Sequence, residues 1–191
     1  MRKLQIIALC GAKGSGKDTV AELIKDISLE PVHNIAFADP IKHEIQRIFN
    51  LDPNSNAQYD LFKRTDISFQ LPGYLSHQVE GRQIVREIGM LMRSYDESQF
   101  VNYVIDQIQA RPSFVWVVTD VRFPNELHAM IQHGAKVINV VRPGYEYDGH
   151  VTERGFTGSK FDYTIDNGGS VEDLRAKLLP IVKEIYKEWS V

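Results

Sequence analysis

The stretch Gly11-Ala12-Lys13-Gly14-Ser15-Gly16-Lys17-Asp18-Thr19 follows directly on the apolar run Leu4 to Cys10 and precedes the helical pattern Val20, Leu23, Ile24 and Ile27. A buried strand, a loop of the form G-x-x-x-x-G-K and a helix are the context in which such a loop cradles phosphate. Three glycines let successive backbone N–H groups turn toward one anion, the helix adds the positive end of its dipole, and Lys17 adds a full charge. The competing reading, a glycine-rich turn without a ligand, requires neither three glycines nor a lysine at this offset. The residue after the lysine, ordinarily a Ser or Thr whose hydroxyl reaches Mg²⁺, is Asp18, with Thr19 next. A carboxylate there serves the metal directly or through water. The loop predicts a nucleoside triphosphate and leaves the reaction open.

A chain of 191 residues suits one domain with a two-sided core around a sheet. Apolar content of 43%, charged content of 25% and a net charge of −3 are ordinary globular values. They argue against a general nucleic-acid binder, which needs a basic face. The single cysteine, Cys10, sits in an apolar strand and reads as a small core residue of a reducing compartment. The apolar run after Met1-Arg2-Lys3 is too short for a signal peptide or a span, and no later segment approaches the ~20 apolar residues that crossing a membrane requires. The expectation is a soluble cytoplasmic protein.

Working outward, a helix over residues 17 to 29 stops before Pro31. A short apolar run, residues 34 to 38, ends in Asp39-Pro40, and Ile41, Ile45, Ile48 and Phe49 mark an amphipathic helix with Pro40 in its first turn. Asp39 reads both as a cap and as a site residue at a strand's carboxyl end. Residues 51 to 79 read as an irregular functional loop or small subdomain over the acceptor site, with breaks at Asp52-Pro53-Asn54-Ser55-Asn56 and Leu71-Pro72-Gly73-Tyr74. From Gly81 a helix carries Arg82, Arg86 and Arg93, and a second helix runs through Phe100 to Ile108. Arg86 and Arg93, seven apart, share one face. A solvated surface is the plain reading of that face, whereas arginine in place of lysine favours a forked phosphate contact.

The clearest strand, Phe114 to Thr119, ends in Asp120-Val121-Arg122-Phe123-Pro124-Asn125-Glu126. An acid at such a strand end, downstream of a phosphate loop, meets a Mg²⁺ shell or acts as a structural cap. Trp116 reads as core. A helix from about Asn125 to His133 stops at Gly134, and a fourth strand, residues 137 to 141, delivers Arg142-Pro143-Gly144. Tyr145 to Lys160 lacks any period and reads as a lid. His150 and Glu153 within it have no third ligand at a zinc-like spacing. A last strand, residues 163 to 165, leads to Asp166-Asn167-Gly168-Gly169, after which Ser170 caps a closing helix with Asp173 in the capping-box position and Pro180 as an expected kink.

Strands alternate with helices throughout, so the fold class is α/β, three-layered, with a mainly parallel five-stranded sheet. Right-handed crossovers place the phosphate loop, Asp39, Asp120, Arg142 and Asn167 along one edge. Phosphate loop, acid-bearing strand end, arginines and lid together match the needs of phosphoryl transfer. The Asn/Thr-Lys-x-Asp sequence with which GTPases read guanine is absent, and large mechanical ATPases need far more chain. A small-molecule kinase remains.

These residues resemble a known family, the deoxynucleoside monophosphate kinases of tailed bacteriophages. The resemblance runs through Gly14-Ser15-Gly16-Lys17-Asp18-Thr19, Phe37-Ala38-Asp39-Pro40-Ile41-Lys42, Gly81-Arg82, Arg86-Glu87-Ile88-Gly89, Thr119 to Glu126, and Val141-Arg142-Pro143-Gly144. It continues through His150-x-x-Glu153 and Asp162-x-x-Ile165-x-Asn167-Gly168. It implies one P-loop kinase domain over residues 1–191, with a substrate-binding helical region at 51–110 and a lid at 143–160. It also implies transfer of the γ-phosphoryl group of ATP, with Mg²⁺, to a deoxynucleoside monophosphate. ATP would then be held by Gly11, Lys13, Gly14, Ser15, Gly16, Lys17, Asp18, Thr19, Asn167 and Gly168. Lys17, Asp18, Arg122 and Arg142 would act in transfer, Asp18 and Asp120 on the metal. Asp39, Lys42, Arg86, Arg93, Arg122 and Arg154 would hold the acceptor. The partners implied are small nucleotides, with a homodimer through residues 81 to 110 as a further expectation. Other P-loop kinases, of the phosphomevalonate or dephospho-coenzyme A type, share the loop, as would a regulator that binds ATP only to set its shape.

Overall fold

In the computed structural model, which describes residues 4–69, 77–145, 156 and 161–190, the chain divides into two compact units. One is Met1–Phe37 with Val101–Val191; the other is Ala38–Phe100. The first unit is built on a five-stranded sheet of β1 (Gln5–Cys10), β2 (Val32–Ile35), β5 (Val115–Val118), β6 (Lys136–Val141) and β7 (Tyr163–Asp166), in the order β2-β5-β1-β6-β7. Every pairing in it is parallel. The central strand is β1, buried from Ile6 to Cys10. Strands covered on both faces carry continuous apolar runs rather than alternation, which is why the sequence around it was so legible.

Helices α1 (Lys17–Ile27) and α7 (Val171–Trp189) pack together over one face of this sheet. Val20, Leu23 and Ile24 of α1 and Leu174, Leu178, Val182 and Ile185 of α7 close on Ile7, Leu9, Val117, Ile138 and Ile165. Ile6, Ala8 and Cys10 alternate to the other face, where α6 (Pro124–Gln132) lies along β1 and β6. The Ser170 hydroxyl accepts from Asp173 N–H at 3.1 Å, while the Asp173 carboxylate accepts from Ser170 N–H at 3.0 Å, the reciprocal cap expected from the sequence. Pro180 lies inside α7.

The second strand departs from the sequence reading. It spans Val32–Ile35, not residues 34 to 38, because its register is dictated by β5, Val32 pairing with Val115 and Ile35 with Val118. His33 and Asn34 are exposed on it, so hydropathy alone pointed too far along the chain. Past the ladder, Phe37 N–H donates to the Asp120 carboxylate at 2.7 Å.

The Ala38–Phe100 unit corrects a second expectation. Much of the stretch from 51 to 79 is regular: α3 (Asn56–Phe62) is followed by β3 (Asp66–Phe69) and β4 (His77–Glu80), which pair antiparallel as a two-stranded sheet. The Leu71 to Tyr74 break lies outside the described residues. Short elements of seven and four residues carry too few periods to announce themselves. The turn before α3 is chemically specified. Asn54 N–H donates to the Asp52 carboxylate at 2.9 Å, Ser55 caps α3, and the buried Gln46 amide donates to the carbonyls of Asp52 and Pro53 at 3.1 and 3.3 Å.

Helix α4 (Gly81–Tyr95) packs on α2 (Asp39–Ile48), where a Cβ on Gly89 would meet Ile41 Cδ1 at 2.9 Å. Helix α5 (Gln99–Ala110) begins in this unit and ends in the other. Among the described residues, no helix is long and apolar enough to cross a membrane.

Gly81 sits where the start of α4 meets the end of α3, and a Cβ there would strike the Phe62 carbonyl and lie 3.1 Å from its ring. Backbone, unlike a side-chain tip, has nowhere to go. Gly81→Ala is expected to cost about 2 kcal/mol, or about 4–8 °C in Tm by calorimetry; an unchanged Tm would show that the approach is looser. Burial pushes the Cys10 thiol up to about 12, with Lys17 opposing and Glu126 assisting the shift. The native chain is therefore expected to resist a thiol reagent at pH 8 and to take one equivalent once denatured. Rapid labelling of native protein would contradict this burial.

Candidate functional site

The loop after β1 solves a problem of backbone polarity. Gly11, Gly14 and Gly16 hold φ of 141°, 79° and 99°, values at which a side chain is strained. The carbonyls find donors within the protein. Lys17 Nζ donates to Gly11 O at 2.7 Å and Ala12 O at 2.9 Å, Arg142 Nη1 to Gly14 O at 3.4 Å, and Asn167 Nδ2 to Ser15 O at 2.8 Å. The N–H groups of Gly14, Gly16, Asp18 and Thr19 have no acceptor among the described residues. The first N–H groups of a helix have no intrahelical acceptor and favour an anion there, so these donors at the start of α1 describe an anion site.

The side chains of the loop divide sharply. Lys17 is 9% exposed and Ser15 fully buried, whereas Lys13, Asp18 and Thr19 face solvent. Ser15 Oγ has no hydrogen-bond partner. Lys17 thus stands inside the loop, and Asp18 leaves the first turn of α1 outward.

Around the loop, the residues picked out from sequence in this unit take distinct places. Asp120, 9% exposed, follows β5, and its carboxylate accepts the Phe37 N–H. Arg122 is exposed just beyond it. Asn167 N–H donates to Val141 O at 2.7 Å while its amide reaches Ser15, tying the ends of β6 and β7 to the loop. The same amide fills the space a Cβ on Gly16 would need. Gly168 N–H donates to the Asp166 carboxylate at 3.1 Å, and with the Lys177 ammonium this holds the Asp166 carboxyl below its ordinary range.

The other unit holds Asp39, Lys42, Arg86 and Arg93, while the phosphate loop, Asp120, Arg142 and Asn167 belong to the first. Asp39 is the first residue of α2, whose cap position is Ala38 without a side-chain bond. Lys42 Nζ donates to Asn56 Oδ1 at 2.5 Å and lies 5.9 Å from the Tyr59 ring centroid. Arg86, half-buried on α4, makes no hydrogen bond or ion pair among the described residues. Arg93 instead lays its guanidinium over the Phe100 ring at 4.5 Å. Arg154, with His150, Glu153 and most of the 143–160 segment, lies outside the described residues.

Two residues of the site carried no assigned role in the sequence reading. Glu126 is 1% exposed, and its carboxylate accepts from Arg122 N–H at 2.8 Å and Phe123 N–H at 3.1 Å, shaping the turn that presents Arg122. Its signal was the acid three residues into a helix that opens with Pro124. Tyr145 packs beside Gly14 and Arg142, a proximity that no local pattern announces.

Known proteins are similar to this chain. A family model described as deoxynucleotide monophosphate kinase matches residues 5–113 and 91–178. A deoxynucleotide monophosphate kinase of Escherichia phage RB69 is 42% identical, over 94% of this chain and 100% of its own. Another, of Enterobacteria phage T4, is 32% identical over 53% of this chain and 45% of its own. Among solved structures, a gluconokinase from Sinorhizobium meliloti 1021 superposes with a TM-score of 0.50 at 10% identity, covering 98% of this chain and 97% of that one, a likeness of fold alone. With a family model spanning most of its length and a relative so similar from end to end, the chain belongs to the deoxynucleotide monophosphate kinase family.

Proposed function

We propose that the chain transfers the γ-phosphoryl group of ATP to the 5′-phosphate of a deoxynucleoside monophosphate, releasing ADP and the deoxynucleoside diphosphate. The observation that carries this reading is the loop itself, in which the carbonyls of Gly11, Ala12, Gly14 and Ser15 are taken by side-chain donors while the N–H groups of Gly14, Gly16, Asp18 and Thr19 have no acceptor among the described residues. Family membership supplies the acceptor class.

In this reading the N–H groups of Gly14, Gly16, Asp18 and Thr19 hold the donor's phosphates, and Lys13 flanks them. Lys17 turns from the carbonyls of Gly11 and Ala12 to the oxygens of the moving group, where charge grows in the transition state. Arg142 adds a second positive charge from the loop's rim. Asn167 and Gly168 lie beside the donor nucleotide. On the acceptor side, the Arg86 guanidinium makes no hydrogen bond or ion pair among the described residues. Arg93, Asp39, Lys42, Arg122 and Arg154 complete the set assigned to the monophosphate.

Among the described residues no group of three or more His, Cys, Asp or Glu is placed to hold a metal ion. Mg²⁺ in such kinases is held mainly by phosphate oxygens and water with one or two carboxylates. The exposed Asp18, at the edge of the N–H cluster, and Asp120 are the carboxylates that would take that part. The ion's chemistry when bound is to neutralise charge on the β- and γ-phosphates.

A coupled ADP-release assay across the four common deoxynucleoside monophosphates, phosphomevalonate and dephospho-coenzyme A tests the assignment; turnover only with a non-nucleotide acceptor would overturn it. Lys17→Met is expected to lower kcat by about 10²–10³-fold with an unchanged circular dichroism spectrum, and near-normal kcat would mean that the loop is misread. Asp18→Asn is expected to raise the Mg²⁺ concentration giving half-maximal rate. A magnesium titration identical to that of the parent would assign Asp18 elsewhere.

A further inference from the structure

The segment Arg142-Pro143-Gly144-Tyr145 is a tight turn closed by Tyr145 N–H donating to Arg142 O at 3.1 Å. Proline at its second position and Gly144 at φ 78° in its third are the requirements of a type II turn. Such a turn brings its first and last residues side by side. Arg142 Cζ accordingly lies 4.7 Å from the centre of the Tyr145 ring. The same ring abuts the tip of the phosphate loop, where a Cβ on Gly14 would come within 2.6 Å of it. Gly14 O is also the acceptor of Arg142 Nη1. Three groups from two loops therefore meet at one point.

The anchoring of each contact decides which one restrains the arginine. A bond of 3.4 Å to a carbonyl exposed on Gly14 is long and open to competition from water. Arg142 itself is exposed, has four rotatable bonds, and makes no ion pair among the described residues. The ring offers the guanidinium a whole face rather than one long bond, and that ring is anchored on one side by the turn and on the other by Gly14. We propose that Tyr145 is a positioning residue, which holds the Arg142 guanidinium against the tip of the phosphate loop so that it is in place before nucleotide arrives. This rests on the reading of Arg142 as a residue that acts in phosphoryl transfer. The positive φ at Gly14 then has a second use, since only a residue without a Cβ lets the ring approach.

The test pairs a spectrum that needs no turnover with a kinetic cycle, both on the full chain. In ¹⁵N-labelled protein, the Arg142 Nε–Hε resonance, identified by its loss in Arg142→Lys, is expected to be shifted upfield by the ring in the parent and in Tyr145→Phe. In Tyr145→Ala it should move to the position of free arginine. Tyr145→Ala is expected to lower kcat about fivefold with KM for ATP within about twofold, Tyr145→Phe to retain kcat within about twofold, and Tyr145→Ala to add nothing in an Arg142→Ala background. Equal losses in both backgrounds, an effect on KM alone, or an Arg142 resonance already at the free position in the parent would overturn the role of Tyr145 while leaving the kinase reading intact. A fully active Arg142→Ala would remove Arg142 from transfer and this role with it. No turnover of the parent with any deoxynucleoside monophosphate would overturn the kinase reading, and the spectrum would still report whether the ring holds the arginine.

Discussion

Everything at the candidate site depends on where the backbone carbonyls of the Gly11–Gly16 curl find their donors. A peptide group that turns its N–H toward a ligand must turn its carbonyl away, and a carbonyl turned into protein needs a partner. Lys17, Arg142 and Asn167 supply those partners from three points of the chain, α1, the end of β6 and the end of β7. The anion cradle is a tertiary construction, held open by side chains up to 152 residues away in sequence. Parallel pairing makes this possible, because β1, β6 and β7 all end on the same side.

Charge follows the same geometry. Lys17 and Glu126 are both nearly inaccessible, and both act on the Cys10 thiol at the end of β1. The Lys17 ammonium sits inside the loop with the Gly11 and Ala12 carbonyls as acceptors, so its buried charge is not without hydrogen bonds. Glu126 and Asp120 have a common device as well. Each carboxylate accepts backbone N–H groups from a segment leaving the sheet, Arg122 and Phe123 in one case and Phe37 in the other. Asp120, which the sequence offers as a metal ligand, is thereby also a fastener of the loops around the site, as is Glu126.

Legibility in the sequence tracked how local each feature is. The strand of residues 5–10 and the loop behind it were plain, since a continuous apolar run and a fixed glycine spacing are properties of neighbouring residues. The cap of α7 was equally plain, Ser170 and Asp173 being three apart. By contrast β2 was misplaced because β5 dictates its register, and α3 with its hairpin passed as irregular because short elements rely on partners such as Gln46 and Phe62. Among the site residues, Arg86 and Arg93 looked equivalent on one helical face. Only packing separates them, one without a hydrogen-bond or ion-pair partner among the described residues and the other laid on Phe100.

By itself, then, the order of residues determined the α/β class, the parallel sheet with its phosphate loop, and the family, because periodicity and motif spacing are written in consecutive positions. Only the tertiary structure decided which donors satisfy the loop, that Glu126 lies buried beneath the turn of Arg122, and that Tyr145 stands beside Gly14. Those facts depend on strand ends converging from distant parts of the chain, and no pattern of neighbouring residues encodes a distance between segments that meet only after the sheet has formed.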